Sequence, residues 1–371
     1  MKKIISMLLI IALMLTFGCA KDVKPDIVDS GKNIALIIGV SGKDDEANKE
    51  LIEAFDEINE YYLFKYDIIE LSSYNNATSR IESVFEHGYD LIISADPIVN
   101  EKMIAVSTAY PDQLVSLVDS KSRLGISMNF DFQMQDASFL AGYYAATMSE
   151  TDIIAYIGVE DSDDEEYRSG YYVGAKTASP NVVVLNKSLK SYTDIEACEV
   201  LTDALAKKNV DYIFTNCGAS ALGVVEIAKQ NDIKLINSEQ YEPNDDSSYV
   251  GRITKSNKKV GLYLLVAFFS EDFVKETIDC GVAFDMVDFT LSSEPSDELM
   301  STLAELRNQI REYDVKIPRT IKEAKTFNYE EQLTTDNEKD DTTKTDDKIE
   351  DKTDNKDEIE DNDSTEVDED K

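Results

Sequence analysis

From Asn33 onward, short apolar runs alternate with segments in which apolar residues recur at helical spacing. Residues 33–40 read as a buried strand, and Leu51, Phe55 and Ile58 follow every three or four positions. Further strands are predicted at residues 66–71, 89–95, 113–119 and 124–129, with helical patterns between most of them. Parallel strands need crossover helices, so this alternation predicts an α/β fold built on a doubly wound parallel sheet.

The same alternation starts again after residue 129 and predicts a second sheet. About 300 residues are more than one hydrophobic core usually serves, so two lobes are expected. We place the first lobe at residues 33–137, with a return segment at about 250–285. The second lobe takes residues 138–249, with a return segment at about 286–318. In such sheets, ligands bind at the carboxyl ends of the strands, which predicts a cleft between the lobes.

The amino terminus has the order of a secretory signal. Two lysines precede the stretch 4–15, which is apolar except for Ser6, and Gly18 stands directly before Cys19. A stretch of twelve residues is too short to span a bilayer. We assign residues 1–18 to a signal peptide, Cys19 to lipidation, and residues 19–32 to a lipidated linker that holds the protein on the outer face of the bacterial cell membrane. The alternative is an ordinary signal peptide with an incidental cysteine.

The chain is strongly acidic, with a formal net charge of −37. Residues 331–371 alone contain 19 acidic and 6 basic side chains and almost no large apolar residues. Such a segment cannot bury enough surface to offset the entropy of ordering, so residues 319–371 are predicted to form a disordered acidic tail. The tail is expected to be solubilising, with cation or cell-wall contact as the alternative. The charge also argues against binding to nucleic acid.

The counts of histidine and cysteine restrict the chemistry. The single His87 excludes zinc sites built on several histidines, and its place at a predicted helix end favours a capping role over catalysis. Cys198, Cys217 and Cys280 lack metal spacing and are predicted to be buried apolar residues. The acidic loop at 158–166 lacks the glycine and terminal glutamate of a calcium loop. We therefore expect no cofactor, no metal and no enzymatic activity.

One helical stretch is specific enough to indicate a family. Residues 136–146 read DASFLAGYYAA, and supporting pieces such as 88–93, 191–194 and 218–226 follow in order. Over about residues 33–318, the chain resembles the basic membrane protein family of purine-nucleoside-binding lipoproteins. This resemblance implies a type I periplasmic-binding-protein fold. The stretch itself is predicted to pack in the core, with Phe139, Leu140 and Tyr143 as an apolar stripe, rather than to touch ligand.

The resemblance also implies a set of binding residues. They are Asp44, Asn48, Asp119, Tyr192, Gly218, Asn237, Glu239 and Lys255. Carboxylates accept hydrogen bonds from ribose hydroxyls, amides pair with a base edge, and an aromatic face stacks on the base. The chain departs from the family pattern at Ala47, where the family has a phenylalanine, and at Asn237 and Glu239, where it has aspartates.

The function implied is that of a substrate-binding lipoprotein of an ABC transporter. It would capture a small polar solute, most simply a purine nucleoside, by lobe closure and present it to a permease and an ATPase. Two alternatives stay open at the level of the sequence. A sensory or surface-interaction lipoprotein with a drifted pocket would explain Ala47 and Asn237, and an enzyme acting on nucleosides would need a carboxylate base such as Asp119.

Overall fold

The computed structural model describes residues 27–123, 125–160, 164–238 and 248–333 of the 371-residue chain. The predicted signal peptide, Cys19, Glu239 and the acidic residues from 334 onward lie outside the described residues. Within the described residues, no helix combines the length and the apolar character that a membrane span requires.

The first lobe contains a six-stranded sheet in the order β11-β5-β4-β3-β1-β2, and every pairing in it is parallel. Its strands are β1 (Val28–Ile38), β2 (Tyr62–Glu70), β3 (Leu91–Ser94), β4 (Val115–Val118), β5 (Met128–Phe132) and β11 (Thr277–Cys280). Its helices are α1 (Glu46–Asn59), α2 (Ala77–His87), α3 (Pro97–Ser107) and α8 (Asn257–Phe269). The apolar run of β1 is fully buried from Ile34 to Ile38, which is why it forms a central strand.

The second lobe repeats this architecture in the order β12-β10-β9-β8-β6-β7, with only the β10–β12 pairing antiparallel. Its strands are β6 (Ile153–Val159), β7 (Val183–Leu189), β8 (Tyr212–Asn216), β9 (Lys234–Ser238), β10 (Tyr249–Lys255) and β12 (Val287–Leu291). Its helices are α4 (Met134–Met148), α5 (Asp164–Ala178), α6 (Ile195–Ala206), α7 (Leu222–Gln230), α9 (Asp297–Arg311) and the short α10 (Ile321–Ala324). The predicted α/β class and the two doubly wound sheets are confirmed.

Three crossovers connect the two sheets: β5 to α4, β10 to α8, and β11 to β12. Backbone hydrogen bonds tie them together. The Gln133 amide donates to the Cys280 carbonyl at 2.9 Å, and the Ser256 amide donates to the Met286 carbonyl at 2.9 Å. The crossovers therefore form one hydrogen-bonded hinge region.

The structure moves three boundaries from their predicted positions. Strand β10 pairs with β9, so residues 249–255 belong to the second lobe and not to the return segment of the first. Strand β1 begins at Val28 rather than Asn33, because Val28 and Asp29 pair with β2. Residues 319–333, assigned from sequence to the tail, include α10, and Ala324 and Tyr329 within them are buried.

The family-like helix α4 packs against α5 through glycines. A Cβ on Gly142 would lie 2.1 Å from the Tyr171 carbonyl oxygen, and one on Gly174 would lie 1.9 Å from that of Phe139. The helices can approach this closely only because those side chains are absent. Phe139 and Leu140 are fully buried in the same core, so the predicted packing role of this stretch is confirmed.

Candidate functional site

Two predicted site residues meet across the lobes. Asp119 follows β4 of the first sheet, Lys255 ends β10 of the second, and Lys255 Nζ lies 2.8 Å from Asp119 Oδ2. Lys255 Nζ also lies 5.4 Å from the centre of the Phe132 ring. Asp119 has a left-handed backbone (φ 57°), a conformation that aspartate tolerates better than most residues. The pair shows that the carboxyl ends of the two sheets face each other.

A second pair lies within the second lobe. Gly218 follows β8 with φ 55°, and a Cβ there would lie 3.2 Å from the Tyr192 carbonyl oxygen. The Ser220 amide donates to that same oxygen at 2.9 Å. These contacts hold the Tyr192 loop against the Gly218 turn, while the Tyr192 side chain stays 37% exposed. An aromatic ring is thereby presented at the strand ends of this lobe.

Asn48 and Asp44 lie around the loop between β1 and α1. Asn48 is buried, and its Nδ2 donates to the Gly42 carbonyl at 2.8 Å, which closes the loop. The N-cap of α1 is Asp45, whose side chain accepts a hydrogen bond from the Ala47 amide. Asp44 is exposed on the loop. Here the structure shows a loop-closing role for Asn48 and leaves a ligand contact for Asp44 and Asn48 as a prediction.

Asn237 lies near the end of β9 and is buried together with Ser238. It stands in register between Thr215 of β8 and Arg252 of β10. The predicted neighbour Glu239 falls in the undescribed segment that begins directly after Ser238.

A cluster that sequence reasoning missed lies at the strand ends of the first lobe. The Tyr74 hydroxyl donates to Asp96 Oδ2 at 2.6 Å, and burial together with this carboxylate raises the pKa of Tyr74. A Cβ on Gly39, directly after β1, would lie 1.8 Å from Asp96 Oδ2. Asp96 also caps α3 through the Val99 amide. The sequence signal was Asp96-Pro97 after an apolar strand, which is typical of a helix start.

The second lobe carries a similar cluster. The Tyr156 hydroxyl donates to Asp164 Oδ1, and Asn216 Nδ2 donates to the same oxygen at 3.4 Å. Burial and the nearby Asp164 carboxylate raise the pKa of Tyr156 well above its ordinary value. A Cβ on Gly158 would lie 1.8 Å from Asp164 Oδ1. Each lobe thus places a glycine, a carboxylate and a tyrosine hydroxyl at the carboxyl end of its sheet.

Whereas Asp164 and Asn216 are buried, the partly exposed carboxylates at the facing strand ends are those of Asp96 and Asp119, which lie at the sheet edge that the cation of Lys255 faces. Such a lining favours a solute rich in hydroxyl or amino donors over an anion. In the part of the chain that the structure describes, no group of three or more His, Cys, Asp or Glu side chains is placed to hold a metal ion.

Two doubly wound lobes, three crossovers and polar groups at the facing strand ends define the two-lobed fold of the periplasmic binding proteins. Solved structures share this fold. An ABC transporter solute-binding protein from Aeropyrum pernix K1 superposes with a TM-score of 0.62 at 15% identity, over 82% of this chain and 98% of that one. The arabinose-binding protein AraP from Geobacillus stearothermophilus gives 0.56 at 14% identity, over 73% and 99%.

Sequence comparison then identifies the family. The model of the Bmp family, described as ABC transporter substrate-binding protein PnrA-like, matches residues 32–321, and the chain belongs to this family. Basic membrane protein A of Borreliella burgdorferi is 25% identical over 258 residues, which are 67% of this chain and 74% of that protein. Basic membrane protein A of Borreliella afzelii is 26% identical over 238 residues, 62% of this chain and 71% of that protein.

Proposed function

We propose that this protein is the solute receptor of an ABC transporter and that it binds a purine nucleoside between its lobes without chemical change. The observation that carries the proposal is the Lys255–Asp119 pair, which joins the strand ends of both lobes at 2.8 Å. A solute held at this place contacts both lobes and therefore selects the conformation in which they are apposed. The transporter's permease and ATPase are the expected partners of that conformation.

Other residues at the strand ends of the second lobe suit a nucleoside. Tyr192 offers a half-exposed ring for stacking on a base, and Gly218 lets the backbone approach the ligand. The carboxylate of Asp119 can accept hydrogen bonds from neighbouring ribose hydroxyls, with Asp44, Asn48, Asn237 and Glu239 as further proposed contacts. The excess of acceptors over cations argues against a phosphorylated ligand.

Calorimetric titration with inosine, adenosine and guanosine tests the proposal. We expect Tyr192→Ala to weaken binding by about 1–3 kcal/mol through lost stacking. Lys255→Met is expected to weaken it by about 1.5–3 kcal/mol, the range for hydrogen bonds to charged groups. Lys234→Met is the matched control. Lys234 also forms an ion pair, with Asp232 at 2.7 Å, but it lies at the amino end of β9, away from the strand ends that carry the candidate site. Absence of heat with all three nucleosides would reject this ligand class.

Two residues favour a second candidate, a sensory or surface-interaction lipoprotein whose pocket binds another solute. Ala47 is only partly buried on α1 and supplies no ring, and Asn237 replaces a carboxylate. In the same titration, Ala47→Phe should strengthen nucleoside binding if the pocket has kept its nucleoside-binding character. If neither the unaltered protein nor Ala47→Phe gives heat with any nucleoside, the second candidate is supported.

We also propose that Cys19 is lipidated and that residues 1–18 are removed, which would anchor the receptor on the outer face of the cell membrane. The support lies in the sequence order of lysines, apolar run, Gly18 and Cys19. Two acyl chains on one cysteine would give stable anchoring, whereas a single chain would not.

A further inference from the structure

Two carboxylates close to the hinge are almost fully buried, one in each lobe. Asp131 lies on β5 of the first sheet with 2% of its side chain exposed, and Glu166 lies on α5 of the second lobe with 7% exposed. A buried ionised carboxylate needs a cation or several hydrogen-bond donors beside it, because an uncompensated charge in the interior is strongly destabilising. The partners of these two residues come from both lobes.

Arg319 connects the two carboxylates. Its Nη1 and Nη2 donate to Asp131 Oδ2 and Oδ1 at 2.8 and 3.1 Å, and its Nη2 and Nε donate to Glu166 Oε1 at 2.6 and 3.2 Å. The segment that carries Arg319 is fixed to the second lobe, since Ser169 Oγ on α5 donates to the carbonyls of Pro318 and Thr320 at 2.7 and 3.0 Å. The Arg319–Asp131 contact therefore crosses between the lobes.

A second ion pair crosses in the opposite direction. Lys121 follows β4 of the first lobe, and its Nζ lies 2.7 Å from Glu166 Oε1 of the second lobe. Asp131 has in addition a cation from its own lobe, because Arg123 Nη2 lies 2.9 Å from Asp131 Oδ2. Each buried carboxylate thus has one cation from its own lobe and one from the other: Arg123 and Arg319 for Asp131, Arg319 and Lys121 for Glu166.

This arrangement has a consequence for opening. When the lobes separate, the two crossing contacts break, but Asp131 keeps Arg123 and Glu166 keeps Arg319. Neither carboxylate is left without a cation, so opening avoids the large penalty of an unpaired buried charge. The crossing pairs still contribute attraction in the apposed state, and Lys121 and Arg319 keep part of their surface in water, which limits that attraction.

We propose that Arg319 and Lys121 form a reciprocal clamp that sets the equilibrium between apposed and separated lobes in the ligand-free protein. Arg319 is a positioning residue in this proposal, and it need not touch the ligand. The clamp rests on the proposed mechanism of lobe closure but not on the identity of the solute. It also gives a role to Arg319 and to the segment around it, which the sequence had assigned to the tail.

Hydrogen–deuterium exchange of the ligand-free, full mature chain tests the clamp at the hinge. The Gln133 and Ser256 amides donate hydrogen bonds between crossovers, so we choose their exchange rates as the readout of hinge opening. We expect Lys121→Met to speed exchange at both amides by about two- to fivefold, the range for one partly exposed ion pair. Arg319→Met should have a larger effect at the same amides, and Arg319→Lys, which keeps the charge, should lie between Arg319→Met and the unaltered protein.

Arg307→Met is the matched control. Arg307 has 25% of its side chain exposed against 27% for Arg319, and it pairs at 2.9 Å with Asp288, but both residues belong to the second lobe. Amides inside β1 and β6 control for general destabilisation. If Lys121→Met leaves exchange at Gln133 and Ser256 unchanged, or if it speeds exchange equally inside the sheets, the clamp is wrong. Because Glu166 keeps Arg319 in Lys121→Met, this variant tests the clamp even if Arg319→Met fails to fold.

No nucleoside enters this experiment, so its outcome is independent of the ligand proposal. Faster exchange at the hinge in the clamp variants, with no heat in the nucleoside titration, would support the clamp and reject the ligand class. Unchanged exchange in the clamp variants, with nucleoside binding intact, would reject the clamp and support the ligand class.

Discussion

At the scale of single residues, Asp136 shows how a motif residue acquires an unusual environment. It lies in the first turn of α4, directly after the first crossover, and Val282 from the third crossover donates its amide to Asp136 Oδ2 at 3.4 Å. A Cβ on Gly281 would lie 2.2 Å from the same oxygen. Burial raises the pKa of Asp136 to about 7. The sequence indicated a packed helix here but not a titrating group in the hinge.

Asp136→Asn should change how stability depends on pH. The charges that face Asp136 are Glu166 and Asp279, which raise its pKa, and Arg319, which lowers it. Because the folded pKa lies above the unfolded value, protonated Asp136 stabilises the fold fully below about pH 4, and this contribution is lost as pH rises through about 7. The free energy of unfolding of the unaltered protein should therefore fall, relative to the variant, by a few kcal/mol over this range.

Urea denaturation at pH 4, 5.5, 7 and 8 measures the effect. The asparagine oxygen can still accept the Val282 hydrogen bond, so the comparison isolates the titration. Parallel stability curves for the two proteins would show that Asp136 does not titrate in this range.

At the scale of elements, the segment from Arg319 to Leu333 is packed on the fold, although its composition predicted a solvated tail. Tyr329 stacks on Phe139 of α4 with the ring centres 5.4 Å apart and the planes within 8°. Helix α10 packs on α5, and Ile321, Phe327 and Leu333 lie against the core. The few apolar residues of this segment therefore find partners on the helix pair that identifies the family.

Two truncations separate this docked segment from the acidic residues beyond it. Ending the chain after Thr320 removes Tyr329 and uncovers Phe139, which should lower the free energy of unfolding by at least about 1.5–3 kcal/mol, the value for burying one large side chain. Ending it after Leu333 should leave stability nearly unchanged. Thermal and urea unfolding of both truncated proteins measure the difference. Equal stability after the two cuts would show that the docking contributes nothing.

At the scale of the whole molecule, the contacts between the lobes and the proposed anchor are compatible with opening and closing at a membrane. The lobes meet at the strand ends, where Lys255 and Asp119 pair, and near the hinge, where Arg319 and Lys121 pair with the opposite lobe. An anchored receptor can open and close while its amino terminus stays at the membrane. The acidic net charge of −37 keeps such a protein soluble at the surface.

The anchor is tested on the full chain in cells. Cys19→Ser removes the thiol that would carry the lipid, so the mature protein should move from the membrane fraction to the medium or the soluble fraction. Cys198→Ser is the control, because Cys198 is buried in the second lobe and its loss should not change the fraction. Unchanged membrane partitioning of the Cys19 variant would contradict lipidation.

Local patterns in the sequence were enough to predict the class of fold and the family. Short apolar runs that alternate with helical patterns are typical of parallel strands buried on both faces, and the stretch 136–146 marks the family. The sequence also predicted that Cys198, Cys217 and Cys280 would be buried, and the structure confirms this. These features are local, so they can be read from neighbouring residues.

Which sheet a strand joins, and which charged side chains form pairs, could not be predicted from local sequence and became clear from the folded chain. Strand β10 joins the second sheet because β9 and β12 offer it partners, and no local pattern encodes those partners. The pairs Lys255–Asp119 and Arg319–Asp131 join residues 136 and 188 positions apart. The contacts of Gly39 with Tyr74 and Asp96 likewise join segments that are far apart in the sequence. Contacts of this kind arise from the packing of distant segments, which is why the hinge clamp became visible only in three dimensions.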